Sequence, residues 1–411
     1  MTSMNDTPSG NRLHIAIFGR RNAGKSSIIN ALTNQEAAIV SAVAGTTTDP
    51  VRKAMEILPI GPVVIVDTAG IDDVGELGEK RIQKALRILD ATDLALLIVD
   101  ASDGGPDQFD EDLVAKFKQH GSTTIVIANK IDVSDDVAAV ESFARKHELP
   151  FAAVSAATRK GIDNLKQVMI ATAPKTFAEP TILGDLINPH DFVVCVVPVD
   201  KAAPKGRLIL PQVMAIRDVI DHDASAVVVK ERELKDCLAN LGRKPKLVVT
   251  DSQAILKASA DTPRDIWFTT FSILFARFKG DLETMARGAK AIEKLKPGSR
   301  VLIAEACTHH RVPDDIGNVQ IPRWLRQFAG GELEFNWVSG NDYPEDLASY
   351  DLVVHCGACM INRTEMISRI HKVDMLGVPI TNYGVLLAYV HGVIDRALEP
   401  FPLAKMAFEE E

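Results

Sequence analysis

The sequence predicts an α/β protein of three successive units. Between residues 13 and 381, short apolar runs alternate with amphipathic stretches, the pattern of parallel strands joined by helices. A length of 411 residues exceeds what one ordinary core organises. A linker with Pro174, Pro180 and Pro189, and a second break at Pro263, divide the chain into 1–175, 176–262 and 263–411.

In the first unit, residues 13–18, 63–66, 94–99, 124–128 and 151–154 are strand-sized apolar runs, as in buried parallel strands. Helical periodicity at 80–89 and 110–119 completes a doubly wound domain. The second unit opens with a strand at 192–197, continues with a helix at 212–221, and returns to strands at 226–229 and 247–249. It carries no catalytic motif and reads as a small α/β domain. The third unit opens on an aromatic stretch at 266–278, where Phe268, Phe271, Phe275 and Phe278 fall on one helical face. Such a stripe is core or subunit interface. Three strands follow. Residues 300–303 run into Cys307-Thr308-His309, 352–354 into His355-Cys356-Gly357-Ala358-Cys359, and 378–381 into Asn382-Tyr383-Gly384. Ligands of open α/β sheets bind beyond the carboxyl ends of strands, so one sheet edge can gather these residues.

Lys and Arg number 46 against 55 Asp and Glu, a net charge of -9, which argues against a broad nucleic-acid-binding face. Residues 1–10 lack an apolar signal core and no apolar run reaches a membrane span, so a cytoplasmic protein is expected. Five cysteines in a long cytosolic chain are not a disulfide framework, and three of them cluster with histidines, which favours metal.

Gly19-Arg20-Arg21-Asn22-Ala23-Gly24-Lys25-Ser26 follows a strand and precedes a helix, the context of a phosphate loop. Its backbone, through Asn22, Ala23, Gly24 and Ser27, can cradle phosphates. Lys25 can reach the β and γ oxygens, and Ser26 can ligate Mg²⁺. Asp67-Thr68-Ala69-Gly70 ends the next core strand, with Asp67 set for the Mg²⁺ shell and Gly70 for sensing the γ-phosphate. Asn129-Lys130-Ile131-Asp132 ends another; the Asp132 carboxylate can accept two N–H bonds from guanine, which adenine cannot supply. Ser155-Ala156 completes the base pocket. The order of elements is that of translation-factor-class GTPases, so GTP and GDP are the expected nucleotides. Ile71 stands where Ras-like switches carry a water-orienting Gln, so hydrolysis needs another group. Asn22 with Ala44-Gly45-Thr46-Thr47-Thr48-Asp49 resembles the potassium-activated GTPases related to TrmE. That resemblance implies K⁺ held by Asn22 and Mg²⁺ bound by Thr47. Glu79 lies where that relative carries a water-positioning glutamate; alternatively, it is a helix N-terminal acid stabilised by the dipole.

Cys356 and Cys359 share one short turn, and Cys307 and His309 are two apart, facing the same side of an extended segment. His355 would face away from Cys356, which makes it the weaker ligand. Four such ligands suit structural zinc; three thiolates also suit a [4Fe–4S] cluster whose fourth iron takes a weaker ligand, His309 first, with Glu305 and solvent as alternatives. Cys195 and Cys237 read as core residues.

With these residues together, the chain resembles the HydF family, the GTPases of [FeFe]-hydrogenase maturation. The resemblance rests on the phosphate loop with Asn22, the guanine motif, and Cys307-Thr308-His309 with His355-Cys356-Gly357-Ala358-Cys359. It implies a P-loop GTPase domain, a small α/β dimerisation domain and an α/β iron–sulfur cluster domain. It further implies a homodimeric scaffold that receives a transient diiron precursor from two radical-SAM maturases and passes it to apo-[FeFe]-hydrogenase. The rival expectation is a zinc-bearing GTPase of tRNA modification or RNA processing.

Overall fold

The computed structural model describes residues 12–33, 41–43, 51–57, 60–68, 88–173, 181–198, 208–306, 315–340, 343–344 and 346–410. Thr47, Gly70, Glu79, Cys307 and His309 lie outside these residues, as does most of the helix expected at 80–89. The chain forms two compact units, Met1–Glu179 and Pro180–Glu411.

The first unit is built on a seven-stranded sheet. In chain order its strands are β1 (Leu13–Phe18), β2 (Ser41–Val43), β3 (Val51–Ile57), β4 (Gly61–Asp67), β5 (Leu94–Asp100), β6 (Thr123–Asn129) and β7 (Phe151–Ala153). In space the order is β2-β3-β4-β1-β5-β6-β7, with β4, β1, β5, β6 and β7 parallel and β3 antiparallel to both its neighbours. Alternation shows that both faces are covered. Leu13, Ile15 and Ile17 join one apolar cluster, whereas Ala16 and Phe18 join the other. Helices α1 (Lys25–Thr33), α2 (Gln108–Gln119), α3 (Ala138–Lys146) and α4 (Ile162–Thr172) follow strands of this sheet. Helix α2 begins at a capping box between Asp107 and Asp110.

The second unit carries two four-stranded parallel sheets. One comprises β8 (Phe192–Val196), β9 (Ser225–Val229), β10 (Leu247–Thr250) and β11 (Trp267–Thr270), ordered β11-β10-β8-β9. The other comprises β12 (Arg300–Glu305), β13 (Glu334–Ser339), β14 (Leu352–His355) and β15 (Ile380–Asn382), ordered β13-β12-β14-β15. Helices α5 (Leu210–Asp221), α6 (Leu234–Asn240), α7 (Ile255–Asp261), α8 (Phe271–Lys279), α9 (Leu282–Ala289), α10 (Ile321–Ala329), α11 (Arg363–Asp374), α12 (Tyr383–Val390), α13 (Ile394–Ala397) and α14 (Pro402–Glu409) surround them. One apolar cluster runs through both sheets, from Ile182 to Ala404.

The aromatic stretch differs from the sequence expectation. Phe268 lies in β11, in register with Val248, and only Phe271, Phe275 and Phe278 belong to a helix. The switch occurs at Thr270, whose hydroxyl accepts from the Ile273 N–H at 3.1 Å and caps α8. The second sheet thus takes an edge strand from beyond residue 262. Strands β2, β3 and β13 have no strong period-2 signal in the sequence; β13 is an edge strand whose side chains are mostly exposed.

Candidate functional site

The phosphate loop leaves the carboxyl end of β1. Gly19 has φ 139°, and a Cβ there would lie 2.3 Å from the Ile98 carbonyl oxygen. Gly24 has φ 92°, and a Cβ there would lie 2.2 Å from Nδ2 of Asn129. Both positions therefore require glycine, for backbone conformation and for space. Between them Asn22 takes the left-handed region, φ 62°, at the exposed rim, while Ala23 is buried. The Lys25 ammonium, at the start of α1, donates to the carbonyls of Gly19 and Arg20, each at 2.5 Å. The Ser26 hydroxyl donates to Oδ2 of Asp67 at 2.7 Å, which brings two of the three expected Mg²⁺ residues together across the β1–β4 pair. Ser27 is exposed beside them.

Asn129 links the phosphate loop to the base loop. It is buried, its Nδ2 donates to the Ala23 carbonyl at 2.8 Å, and its Oδ1 accepts from the Ala156 N–H at 3.1 Å. Lys130 sits at φ 67° and its ammonium meets Oδ2 of Asp100 at 2.5 Å. Burial opposes the Asp100 charge, but the Lys130 and Ser102 hydrogen bonds outweigh it and hold the carboxyl below its ordinary range. The Ser155 hydroxyl is buried and accepts from the Thr158 N–H at 3.1 Å, which shapes the turn after β7; Asp132 is exposed.

Sequence reasoning missed Asp100 and the role of Arg20. Asp100 ends the apolar run of β5 at this same sheet edge, a signal that was available. Arg20 donates to the Gly105 carbonyl at 2.7 Å and faces Asp107 and Asp110 at 3.3 and 3.8 Å. Burial pushes the Asp110 carboxyl up to about 6, against the Asp107 backbone bond and the Arg20 charge.

The cysteine centre occupies the carboxyl edge of the β12–β15 sheet. Cys356 follows β14 directly and is buried. Its N–H donates to the Ala304 carbonyl at 2.8 Å, and its Sγ accepts from the Ala306 N–H at 3.1 Å. Ala358 turns the chain at φ 53° and Cys359 is half-buried. Glu305, the buried last residue of β12, accepts from the Tyr383 hydroxyl at 3.1 Å. Burial first, then the negative charges of Cys356, Glu305 and Asp315, lift the Tyr383 phenol far above its usual range, so it stays a donor. Gly317 packs closely here: a Cβ would lie 2.2 Å from the Tyr383 hydroxyl and 2.7 Å from Oε1 of Glu305, so a larger residue would displace that pair. His355 is wholly buried, with Nδ1 2.9 Å from the Cys356 carbonyl oxygen and Nε2 3.2 Å from Arg369 Nη1. Burial, then the Arg369 charge, pushes the ring down to about 3, so it is neutral. Cys195 is buried in β8, where burial pushes its thiol up to about 12; Cys237 is half-buried on α6.

Among the described residues no group of three or more His, Cys, Asp or Glu side chains is set to hold a metal ion. The donors that are described nevertheless suit an iron–sulfur group. Two soft sulfurs share one turn, one of them already accepts a backbone N–H, and the strand that leads to Cys307 and His309 ends beside them. No helix among the described residues is long and apolar enough to cross a membrane.

Comparison with known proteins gives three matches along the chain. Residues 14–130 match a 50S ribosome-binding GTPase family, residues 182–280 a Hydrogen maturase F dimerization domain, and residues 283–400 a Hydrogen maturase F tetramerization domain. The tRNA modification GTPase MnmE of Actinobacillus succinogenes is 38% identical over 159 residues, 38% of this chain and 34% of that protein. GTPase Der of Nautilia profundicola is 35% identical over 170 residues, 38% of this chain and 36% of that protein. The chain thus spans about a third of the length of these relatives. Among solved structures, the G domain of the T. maritima FeoB iron transporter is 22% identical, with a TM-score of 0.32, over 39% of this chain and 99% of that one.

Proposed function

The chain belongs to the HydF family, a P-loop GTPase followed by dimerisation and tetramerisation domains, and from that premise we propose that it is a GTP-hydrolysing scaffold. Its cargo is the diiron precursor of the H-cluster, received from two radical-SAM maturases and passed to apo-[FeFe]-hydrogenase in the cytoplasm. The observation that carries the proposal is the cysteine turn, with its backbone N–H to sulfur bond, on a chain whose remaining length matches two hydrogen-maturase domains. The proposed division of labour is 1–175 for GTP, 176–262 for dimerisation and 263–411 for the cluster.

In the GTPase part, Lys25 exchanges its carbonyl partners for the β and γ oxygens of GTP. Ser26 and Asp67, already paired, would hold Mg²⁺ together with Thr47. The ion, when bound, neutralises charge on the β and γ phosphates. Asp132 accepts from guanine, and Asn129 keeps the base loop in step with the phosphate loop. Asn22 would hold K⁺, Gly70 would sense the γ-phosphate, and Glu79 would position the attacking water, since Ile71 cannot. In the cysteine centre, Cys307, Cys356 and Cys359 would hold a [4Fe–4S] cluster, with His309 at its exchangeable corner and Glu305 as the alternative. When bound, that cluster supplies an iron at which the cargo can attach. GTP acts as a switch: ordering of residues 37–50 and 71–78 around the γ-phosphate biases partner docking.

Anaerobic metal analysis and low-temperature EPR of the dithionite-reduced protein test this reading. About four irons per chain and a reduced-cluster signal, both lost in Cys356→Ser with GTP hydrolysis retained, are expected. Stoichiometric zinc, with no cluster after iron and sulfide are supplied, would replace the proposal with an RNA-processing GTPase.

A further inference from the structure

Beneath the cysteine turn, Arg369 occupies a junction that the ligand set does not explain. The residue is buried on α11. Its Nη2 donates to the Gly340 carbonyl at 2.8 Å and to Oε1 of Glu365 at 2.7 Å, while Nη1 lies 3.2 Å from Nε2 of His355. Gly340 follows β13 and His355 ends β14, and these strands flank β12 on either side. One guanidinium therefore spans the end of the strand that leads to Cys307.

The chemistry of the contact fixes the state of the histidine. A guanidinium only donates, so Nε2 of His355 must be the acceptor. Nδ1 then carries the proton and donates to the Cys356 carbonyl at 2.9 Å. Both ring nitrogens are engaged, and neither offers a lone pair to iron. Glu365 and Tyr343 are the other groups at this junction. The Tyr343 ring centroid is 6.4 Å from that of His355, and the Arg369 guanidinium carbon is 5.1 Å from it.

We propose that Arg369 is a positioning residue for the cysteine turn, acting through a His355 held in one tautomer and thereby kept out of the ligand set. The proposal rests on the reading of Cys356 and Cys359 as cluster ligands. It gives His355, which adjoins a ligand in sequence, the work of fixing the Cys356 backbone.

The test has two arms on the full-length protein. In the metal-free chain, alkylation of Cys356 by iodoacetamide, followed by mass spectrometry, is expected to speed up several-fold in Arg369→Met. Arg369→Lys should recover part of the protection, because an ammonium can serve His355 or Gly340 but not both with fork geometry. Cys195, buried in β8, reports global opening and should not change. After iron and sulfide are supplied, His355→Asn is expected to keep the iron content, with no strong histidine-nitrogen coupling lost from the reduced-cluster EPR signal. An unchanged Cys356 rate in Arg369→Met, an equal rise at Cys195, or loss of such a coupling in His355→Asn would overturn the proposal. Failure of the wild-type chain to take up iron would sink the cluster reading, while the alkylation arm would still judge Arg369.

Discussion

The two carboxyl edges of this molecule use the same architecture in opposite ways. At the edge of the seven-stranded sheet, the candidate residues lie in short motifs at the ends of β1, β4, β6 and β7. Ser26 and Asp132 are exposed, Asp67 is half-buried, and the charged groups keep partners, Ser26 for Asp67 and Asp100 for Lys130. At the edge of the β12–β15 sheet, Glu305, His355, Cys356 and Tyr383 are drawn from three different strand ends, and burial shifts the titration of His355 and Tyr383 strongly. The first edge suits a soluble nucleotide that comes and goes. The second suits a group held away from water. The lesson is that strand-end placement is generic, whereas burial decides which chemistry an edge can support.

The largest expected effect breaks the comparison at its first side. Lys25→Ala should lower kcat for GTP hydrolysis by at least ~100-fold, as loss of a charge-stabilising donor does, while iron uptake stays at the wild-type level. Steady-state phosphate release and iron analysis check this, and a parallel loss of iron would show that the two edges are not separable. Next, Gly317→Ala should destabilise the second unit by about 1–3 kcal/mol through overpacking against Tyr383 and Glu305. Denaturant unfolding of the full chain reads this, with GTP hydrolysis unaffected. A smaller effect is expected for Asn382→Ala. Its side chain accepts from the Val385 N–H at 2.8 Å to cap α12 and donates to the Ser272 carbonyl at 3.1 Å. Loss of the cap alone should cost about 1 kcal/mol.

A further effect concerns pH and sharpens the contrast within the first edge. The folded Asp110 carboxyl keeps its proton up to about pH 6, against an ordinary value of 3.8. The native state therefore binds more protons than the unfolded one between those values, and stability falls as pH rises from about 4 to about 6 and then levels. Asp110→Asn should flatten that segment of a plot of Tm against pH. An unchanged slope would place the titration elsewhere.

The nucleotide edge was legible because each of its motifs is a short contiguous run at a strand end, and spacing within a run encodes local geometry directly. Gly19, Gly24, Lys25, Ser26, Asp67 and Asn129 lie at or just beyond the carboxyl ends of β1, β4 and β6, and the structure adds contacts such as Ser26 to Asp67 and Asn129 to Ala23. The cysteine turn was legible as a motif. Its surroundings were legible only in part: the segment holding Tyr383 was placed at the same sheet edge, but its bond to Glu305 and the close approach of Gly317 appear only through what they touch. The aromatic stretch misled for a related reason: helical spacing at 268–278 cannot tell a four-residue strand followed by a capped helix from a single helix.

The sequence by itself determined the α/β class, the GTPase and the cysteine pattern, since each is written in local spacing and residue type. Tertiary structure alone decided that β11 completes the second sheet, that Asn129 joins two loops, and that Arg369 and the Cys356 carbonyl engage the two ring nitrogens of His355. Those outcomes depend on contacts between residues far apart in the chain. Burial raises the cost of leaving such groups unpaired, so packing rather than spacing selects their partners.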